Sequence, residues 1–286
     1  MRKVACVLVT YNRIKLLKRC IAGLKHQTYG DFDIIVVNNG STDGTEEWLN
    51  TQTDLMTINQ DNVGGAGGFY SGMKRAYDCG YEWIWMMDDD GLPDEKELEE
   101  LVKGAEEREL SFVNALVCNI DNHQSLSFGL CHNGELVFST EEATKIDTIN
   151  AINPFNGTLI KRGVVERIGF IKKEMFIWGD EAEYTFRAQN AGYACVTITK
   201  AIHYHPQIKG KTVKVIPFWN KYDINIKPSE KSHIYYRNLG YIYKTYIPNK
   251  LWSPLILYSI VFIRKFQFNE LTKLWKSYWK GVRGEF

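Results

Sequence analysis

Trp83-Ile84-Trp85-Met86-Met87-Asp88-Asp89-Asp90 (WIWMMDDD) is the stretch on which the fold turns. Its unbroken apolar run reads as a strand covered on both faces, the pattern of a buried parallel sheet. Three carboxylates follow at once. Adjacent carboxylates repel one another, so a fold rarely keeps three without a counter-charge. A hard divalent cation, bound through oxygen, is the natural partner. Side chains of an extended segment repeat with period two, so Asp88 and Asp90 can point the same way. The simpler reading is a solvated acidic loop that Asp94 and Glu95 extend into a helix start; the position directly after an apolar strand favours the metal.

Working back toward the N-terminus, Val4–Thr10 (VACVLVT) and Phe32–Val37 (FDIIVV) are further buried strands, and Met56–Asn59 is a short third. Ile14–His26 carries apolar residues at helical spacing. Asn38–Gly44 (NNGSTDG) is a turn cluster in which Ser41 or Thr42 would cap a helix over Thr45–Thr51. Asn62–Gly68 is glycine-rich and leads into a helix ending near Cys79. Alternating strands and helices build βαβ units with right-handed crossovers, and such sheets bind ligands at the carboxyl ends of their strands. TYNR, NNGSTD and DDD all follow strands.

Beyond the acidic triplet the alternation is less regular. Strands are expected over Ser111–Asn119, Glu135–Ser139, Pro154–Ile160 and Ala194–Thr199, with helices over Gly163–Ile168 and Glu181–Gly192. Gly192 stands at the usual C-cap place. The glycines of Asn62-Val63-Gly64-Gly65-Ala66-Gly67-Gly68-Phe69 allow close backbone approach, and a helix start behind them suits a pyrophosphate. The alternative is a tight corner between helix and strand. The run is neither GxGxxG nor Walker A.

Trp178-Gly179-Asp180-Glu181 opens a helix with acids. Dipole compensation and capping account for that alone; the functional reading is a general base at a cleft edge. Neighbours on a helix diverge by about 100°, so one of Asp180 and Glu181 would face an acceptor. His203 and His205, after the strand ending near Thr199, face the same side if extended. One imidazole joining two Asp oxygens suits Mn²⁺ or Mg²⁺ better than structural zinc. The absence of a GxSxG elbow gives Ser-His-Asp catalysis little support.

In order and spacing, VTYNR, VVNNGSTDGT, WMMDDDG and WGDEAEYTFR resemble the family 2 glycosyltransferases of GT-A fold, over roughly residues 1–245. NVGGAGGF before the acids, Tyr235-Tyr236-Arg237-Asn238 and the closing Trp279-Lys280-Gly281 resemble the branch of galactofuranosyl- and rhamnosyltransferases that build bacterial cell-surface polysaccharides. The resemblance implies an α/β fold with a Rossmann-like, mostly parallel central sheet flanked by helices, and a C-terminal helical segment. It implies a catalytic domain over 1–225, with 1–95 binding the nucleotide sugar and 96–225 the acceptor, and an aromatic, basic segment over 226–286. Thr10, Tyr11, Arg13, Gly64, Gly65, Gly67, Asp88 and Asp89 are expected at the donor. Asn38 and Asn39 fall where the family often places two acids against the base, a departure that leaves the base open. Asp88 and Asp90 match the metal-binding acids of the DxD motif, with Asp89 between. His205 is the first choice to complete the metal site and His203 the second. Glu181 falls at the usual position of the catalytic base, where the family usually has Asp, and Asp180 remains the other candidate. The implied cofactor is Mn²⁺ or Mg²⁺. The implied reaction is an inverting transfer from a UDP- or dTDP-sugar to a glycan or lipid-linked glycan, with galactofuranose the first donor and rhamnose the alternative. A nucleotidyltransferase would want a basic residue near the glycine run, and residues 62–72 have none. A non-catalytic binding module would not need the base.

Bulk composition is consistent with this. Lys plus Arg number 35 against 34 Asp plus Glu, which excludes a dedicated nucleic-acid binder resting on a basic excess. Six cysteines form no CxxC pair, so a zinc knuckle is not expected. Cys6 and Cys20 read as buried thiols of a reducing compartment, and the early strand leaves no room for a secretory signal. Leu251–Phe266 is apolar but interrupted by Pro254, Arg264 and Lys265, too short to span a bilayer. With the aromatic and basic helix pattern of Leu271–Arg283, it is expected to lie peripherally on the inner face of the cell membrane. The alternative is a cap on the catalytic domain or a homodimer contact.

Overall fold

A computed structural model describes residues 3–207, 211–216 and 219–286 of the 286-residue chain. In its first third, β1 (Val4–Thr10), β2 (Phe32–Asn38), β3 (Met56–Asn59) and β4 (Trp83–Asp88) alternate with α1 (Ile14–Lys25), α2 (Thr45–Leu49) and α3 (Gly64–Asp78). There follow β5 (Leu92–Pro93), α4 (Glu97–Glu107), β6 (Phe112–Asn119), β7 (Ser125–His132), β8 (Glu135–Ser139), α5 (Thr140–Thr144), β9 (Thr148–Ile149), β10 (Asn156–Lys161), α6 (Arg162–Ile168), α7 (Asp180–Asn190) and β11 (Cys195–His205). The chain continues through β12 (Lys211–Ile216), β13 (Trp219–Ile226), α8 (Ser232–Tyr246), α9 (Ser253–Arg264) and α10 (Phe268–Val282).

Two compact units result. One holds residues 1–173 and 184–207, the other 174–183 and 208–286. This division departs from the boundary expected at 225/226, because the β12–β13 hairpin and the segment leading into α7 belong with the C-terminal helices.

The sheet of the first unit runs β3-β2-β1-β4-β10-β6-β11-β5. β1 pairs in parallel with both β2 and β4, and β2 with β3, as the apolar runs and intervening helices require. β10 is antiparallel between β4 and β6, and β6 pairs in parallel with β11. The strongest apolar runs lie at the centre: every residue of β1 is buried, as are the apolar residues of β4. α1 buries Leu17, Cys20, Ile21 and Leu24, the helical spacing read from the sequence. Cys6 and Cys20 are buried free thiols.

The expected glycine loop is instead the opening of α3, which begins at Gly64. A Cβ added at Gly68 would press on the Val9 side chain, and one at Gly72 on Val7 and Val37. These glycines let the helix lie close on β1 and β2. The reading of a tight corner therefore explains Gly68 and Gly72, whereas Gly65 has open space above it.

The second unit has its own core, with Tyr236, Leu255, Tyr258, Phe262, Leu274 and Tyr278 at its centre. α8 and α10 pack backbone to backbone through two glycines: a Cβ at Gly240 would meet the Tyr278 carbonyl, and one at Gly281 the Arg237 carbonyl. That contact gives the closing Trp-Lys-Gly motif a packing reason. Among the described residues no helix is long and apolar enough to cross a membrane.

Two glycines should therefore respond to alanine in opposite directions. Gly65→Ala should gain up to about 1 kcal/mol of helix propensity. Gly281→Ala should lose about 1–3 kcal/mol net, because overpacking against a backbone carbonyl outweighs that gain. Urea unfolding of the two variants checks this, and equal behaviour would remove the close-packing argument.

Candidate active site

Strand register brings three suspect segments to one edge of the sheet. Thr10 of β1 pairs with Asn38 of β2, and Val9 pairs with Asp88 of β4. The loops that follow are stitched together. Asn39 N–H donates to the Thr10 carbonyl (3.0 Å), Asn12 N–H to Ser41 Oγ (2.9 Å), Thr42 N–H to Asn12 Oδ1 (2.7 Å) and Ile14 N–H to Asp43 Oδ2 (2.9 Å). Asn12 sits at φ +54°, a conformation that Asn tolerates better than most residues. Ser41 and Thr42 thus bridge loops and do not cap α2, whose preceding residue is Gly44 and carries no side-chain cap.

The acidic triplet is held from both sides. Thr10 Oγ donates to Asp89 Oδ2 (2.7 Å), and Arg13 Nη1 donates to Asp89 Oδ1 (3.1 Å) and Asp90 Oδ2 (2.9 Å). Arg19 Nη2 donates to the Asp90 carbonyl (2.7 Å). His205 Nε2 stands 3.2 Å from Asp90 Oδ1, yet that buried oxygen accepts no hydrogen bond within the described residues. His205 Nδ1 donates to the Pro206 carbonyl (2.7 Å), which fixes the proton there and leaves Nε2 facing the acid.

Burial dominates the charge states. It pushes Asp88 up to about 7, helped by the negative charges of Asp90 and Asp89. It pushes Asp89 up to about 6 against the pull of Thr10 and Arg13. Burial acts on Asp90 too, but the His205 contact and Arg13 outweigh it and hold Asp90 below the usual carboxylate range. Burial lowers His205, and Asp90 more than reverses that, so the imidazole is raised. Among the described residues no three His, Cys, Asp or Glu side chains converge as a finished metal cage.

The two histidines lie inside β11, where a register shift against β6 between Ile198 and Ile202 carries the strand on past its expected end. Their partners differ. His203 is fully buried, with Nδ1 2.9 Å from Glu97 Oε2, and Trp85 Nε1 donates to Glu97 Oε1 (3.2 Å). A Cβ at Gly91 would fall on His203 Nε2. His203 therefore packs beneath the acidic loop while His205 meets the acid. Glu97 had no signal in the sequence beyond an acidic helix start, and Arg19 none beyond its place on a helix.

Asn38 and Asn39 are buried and turned inward. Asn38 donates to Asn59 Oδ1 (3.0 Å) and accepts from Ser41 N–H (3.1 Å). Asn39 donates to the Gly64 carbonyl (3.0 Å) and accepts from Gln60 Nε2 (2.9 Å) and Val63 N–H (3.3 Å). Two amides thus tie β2 to its neighbours, Asn38 to β3 and the loop at Ser41, and Asn39 to the start of α3. Tyr11 is 45% exposed beside them. Gly64 and Gly67 are buried in the first turns of α3.

Asp180 and Glu181 belong to the second unit. The turn before them is strained: Phe176, Trp178 and Gly179 have φ of +66°, +60° and +108°. Non-glycine residues persist there only when neighbours hold them. Asn238 does so, its amide donating to the carbonyls of Met175 (2.9 Å), Ile177 (3.1 Å) and Trp178 (2.9 Å). Arg237 donates Nε (3.1 Å) and Nη2 (3.0 Å) to Asn238 Oδ1, fixing which way the amide points. Asp180 is buried, and Glu181 Oε2 accepts Gly179 N–H (2.9 Å). Lys227 lies over the rings of Trp178 (5.0 Å) and Tyr235 (5.4 Å); burial lowers its pKa against the opposing charge of Glu181. The sequence marked Arg237 and Asn238 as a motif without a role.

Residues 5–169 match the model of Glycosyl transferase family 2. The galactofuranosyltransferase GlfT1 of Mycolicibacterium smegmatis is 32% identical over 71% of this chain and 70% of its own. The GlfT1 of Mycobacterium tuberculosis H37Rv is 33% identical over 71% of this chain and 70% of its own. The crystal structure of S. aureus TarS 1-349 shares the fold, with a TM-score of 0.56 over 99% of this chain and 92% of that one at 13% identity.

The charge pattern fixes a pH response. Asp88 and Asp89 are raised, so their contribution is full in acid and is lost as pH rises through about 6 to 7. His205 is raised, so its contribution is likewise lost on the alkaline side, whereas lowered Asp90 loses its contribution only in acid. In chelator, Tm should fall from pH 5.5 to pH 8, and Asp88→Asn should flatten that fall. A profile unchanged by Asp88→Asn would mean that the carboxyl is not the strained group. Separately, Asn238→Ala should cost about 2–3 kcal/mol in urea unfolding, since it strands buried carbonyls.

Proposed function

The chain belongs to glycosyltransferase family 2, and on that premise we propose that it transfers galactofuranose from UDP-galactofuranose, with inversion, to a hydroxyl of a lipid-linked or polysaccharide acceptor in bacterial cell-surface glycan synthesis. As a glycosyltransferase it takes a nucleotide-sugar donor and a glycan acceptor. The observation that carries the donor assignment is the similarity to two galactofuranosyltransferases over most of both chains. It favours galactofuranose over dTDP-rhamnose, and family membership displaces the nucleotidyltransferase and the non-catalytic module.

In this reading Asp88, Asp90 and His205 hold Mn²⁺ or Mg²⁺. The fit rests on the buried Asp90 oxygen that accepts no hydrogen bond, the raised carboxyls beside it, and an imidazole whose Nδ1 is already committed to a carbonyl. Such ions are commonly bound by one or two carboxylates plus substrate phosphates, so a finished protein cage is not required. When bound, the ion supplies charge stabilisation for the leaving diphosphate.

Thr10 and Arg13 keep Asp89 and Asp90 in place, and Tyr11, Asn38, Asn39, Gly64, Gly65 and Gly67 border the donor. Glu181 takes the proton of the acceptor hydroxyl as its oxygen attacks the anomeric carbon. The bond from that carbon to the diphosphate oxygen breaks on the opposite face, and one displacement gives inversion. Asp180, more deeply buried, is the second candidate for the base. The proposed setting is the cytoplasm, at the inner face of the membrane.

A donor panel followed by diphosphate release tests the assignment: UDP-galactofuranose should turn over, and preference for dTDP-rhamnose or a UDP-hexopyranose would replace it. Asp90→Ala should abolish transfer while keeping the wild-type circular dichroism spectrum. Glu181→Gln should cut kcat by ~10²–10⁴-fold with little change in donor binding. If Asp180→Asn does so and Glu181→Gln does not, the base is Asp180.

A further inference from the structure

α9 is apolar on the wrong side as well as the right one. Its inward face, Leu255, Tyr258, Val261 and Phe262, forms part of the core of the second unit. Its outward face carries Trp252, Ile256, Ile260 and Ile263, at spacings of four, four and three, and Phe266 and Phe268 continue the patch; these six are 40–82% exposed. Trp275 of α10, also exposed, joins it by donating its Nε1–H to Ser259 Oγ (3.0 Å). A surface helix normally turns polar residues outward, as α10 does with Asn269, Thr272, Lys276 and Lys280. Scattered exposed apolar residues need no explanation, but a contiguous patch marks a binding face.

The setting of the patch is basic. Residues 250–286 contain seven Lys and Arg against two Glu. Both glutamates are engaged locally, Glu270 with Lys273, Ser229 and Ser232, and Glu285 with Arg283. Lys250, Lys265 and Lys276 are exposed and form no ion pair among the described residues. Trp275, Lys276, Trp279, Lys280 and Arg283 line an open depression, and Trp279 meets Trp252 edge to face at 5.4 Å. Tryptophans thus stand between the apolar stripe and the cations, the order found from acyl region to headgroup at a membrane surface.

We infer that the face formed by Trp252, Ile256, Ile260, Ile263 and Trp275, with its rim of Lys250, Lys265, Lys276 and Lys280, docks on an anionic lipid bilayer. A second copy is the poorer occupant, because a self-complementary contact sets the same cations against each other. Crossing the bilayer is excluded for α9: twelve residues reach about 18 Å, and one face is committed to the core. The helix lies in the interface plane. The inference deepens the proposed lipid-linked acceptor, and binding is read without turnover, so it stands or falls apart from the donor assignment.

The test is flotation of the full chain with phosphatidylglycerol/phosphatidylcholine vesicles and with phosphatidylcholine alone, with light scattering for oligomeric state. The wild type should float with the anionic vesicles and lose binding in high salt. Ile256→Glu/Ile260→Glu, at exposed positions, should keep the wild-type Tm and bind at least about tenfold more weakly; Lys276→Glu/Lys280→Glu should weaken binding by a similar factor. The inference is overturned if the wild type stays with neither vesicle, if the double glutamate variant floats as well as wild type, or if that variant instead turns a dimer into a monomer.

Discussion

A buried strand that ends in three carboxylates has to find compensation within a few ångströms, and that requirement organises the first unit. Asp88, Asp89 and Asp90 leave the sheet where burial withdraws them from water. The compensation comes from two other strands: Thr10 at the end of β1 with Arg13 in the loop after it, and His205 at the end of β11. No local segment could supply it. The parallel pairing of β4 with β1, and the long course of β11, are what bring Arg13 and His205, 192 positions apart in the chain, onto one acid cluster.

The same edge shows how a site is kept open by work done beneath it. Glu97 and His203 fill the space under Gly91, and Trp85 donates to the same carboxylate. This buried pair fixes the floor of the acidic loop. Asn39 does the corresponding task for α3, exchanging hydrogen bonds with Gln60, Val63 and Gly64, while Asn38 ties β2 to Asn59 of β3. Polar groups inside the protein are here used for position, held by partners that only this arrangement supplies, although His203 Nε2 has no hydrogen-bond partner among the described residues.

The second unit stores strain of another kind. Two non-glycine residues with positive φ precede Asp180, and the amide of Asn238 collects the carbonyls that the turn exposes. Arg237 orients that amide. α8 in turn is held against α10 by the backbone approach that Gly240 of α8 and Gly281 of α10 allow. The turn that carries the base candidates is therefore supported by residues 55 or more positions later in the chain.

The sequence by itself determined β1 to β4, the first three helices and the placement of TYNR, NNGSTD and DDD at strand ends, but not β5, β7, β9 or the β12–β13 hairpin. Apolar runs and helical spacing are local, so they are legible in one dimension. It also put His205 before His203 for the metal site, on the resemblance alone. Tertiary structure alone decided which imidazole meets Asp90, because that depends on the register shift of β11 against β6. It decided that the glycine run is a helix packed on valines, which needed the opposing surface of β1. It decided that Arg237 and Asn238 serve the turn at 175–178, and that α9 shows an apolar face on both sides. Each depends on which distant surface is placed opposite a residue, and a pattern along the chain does not contain that.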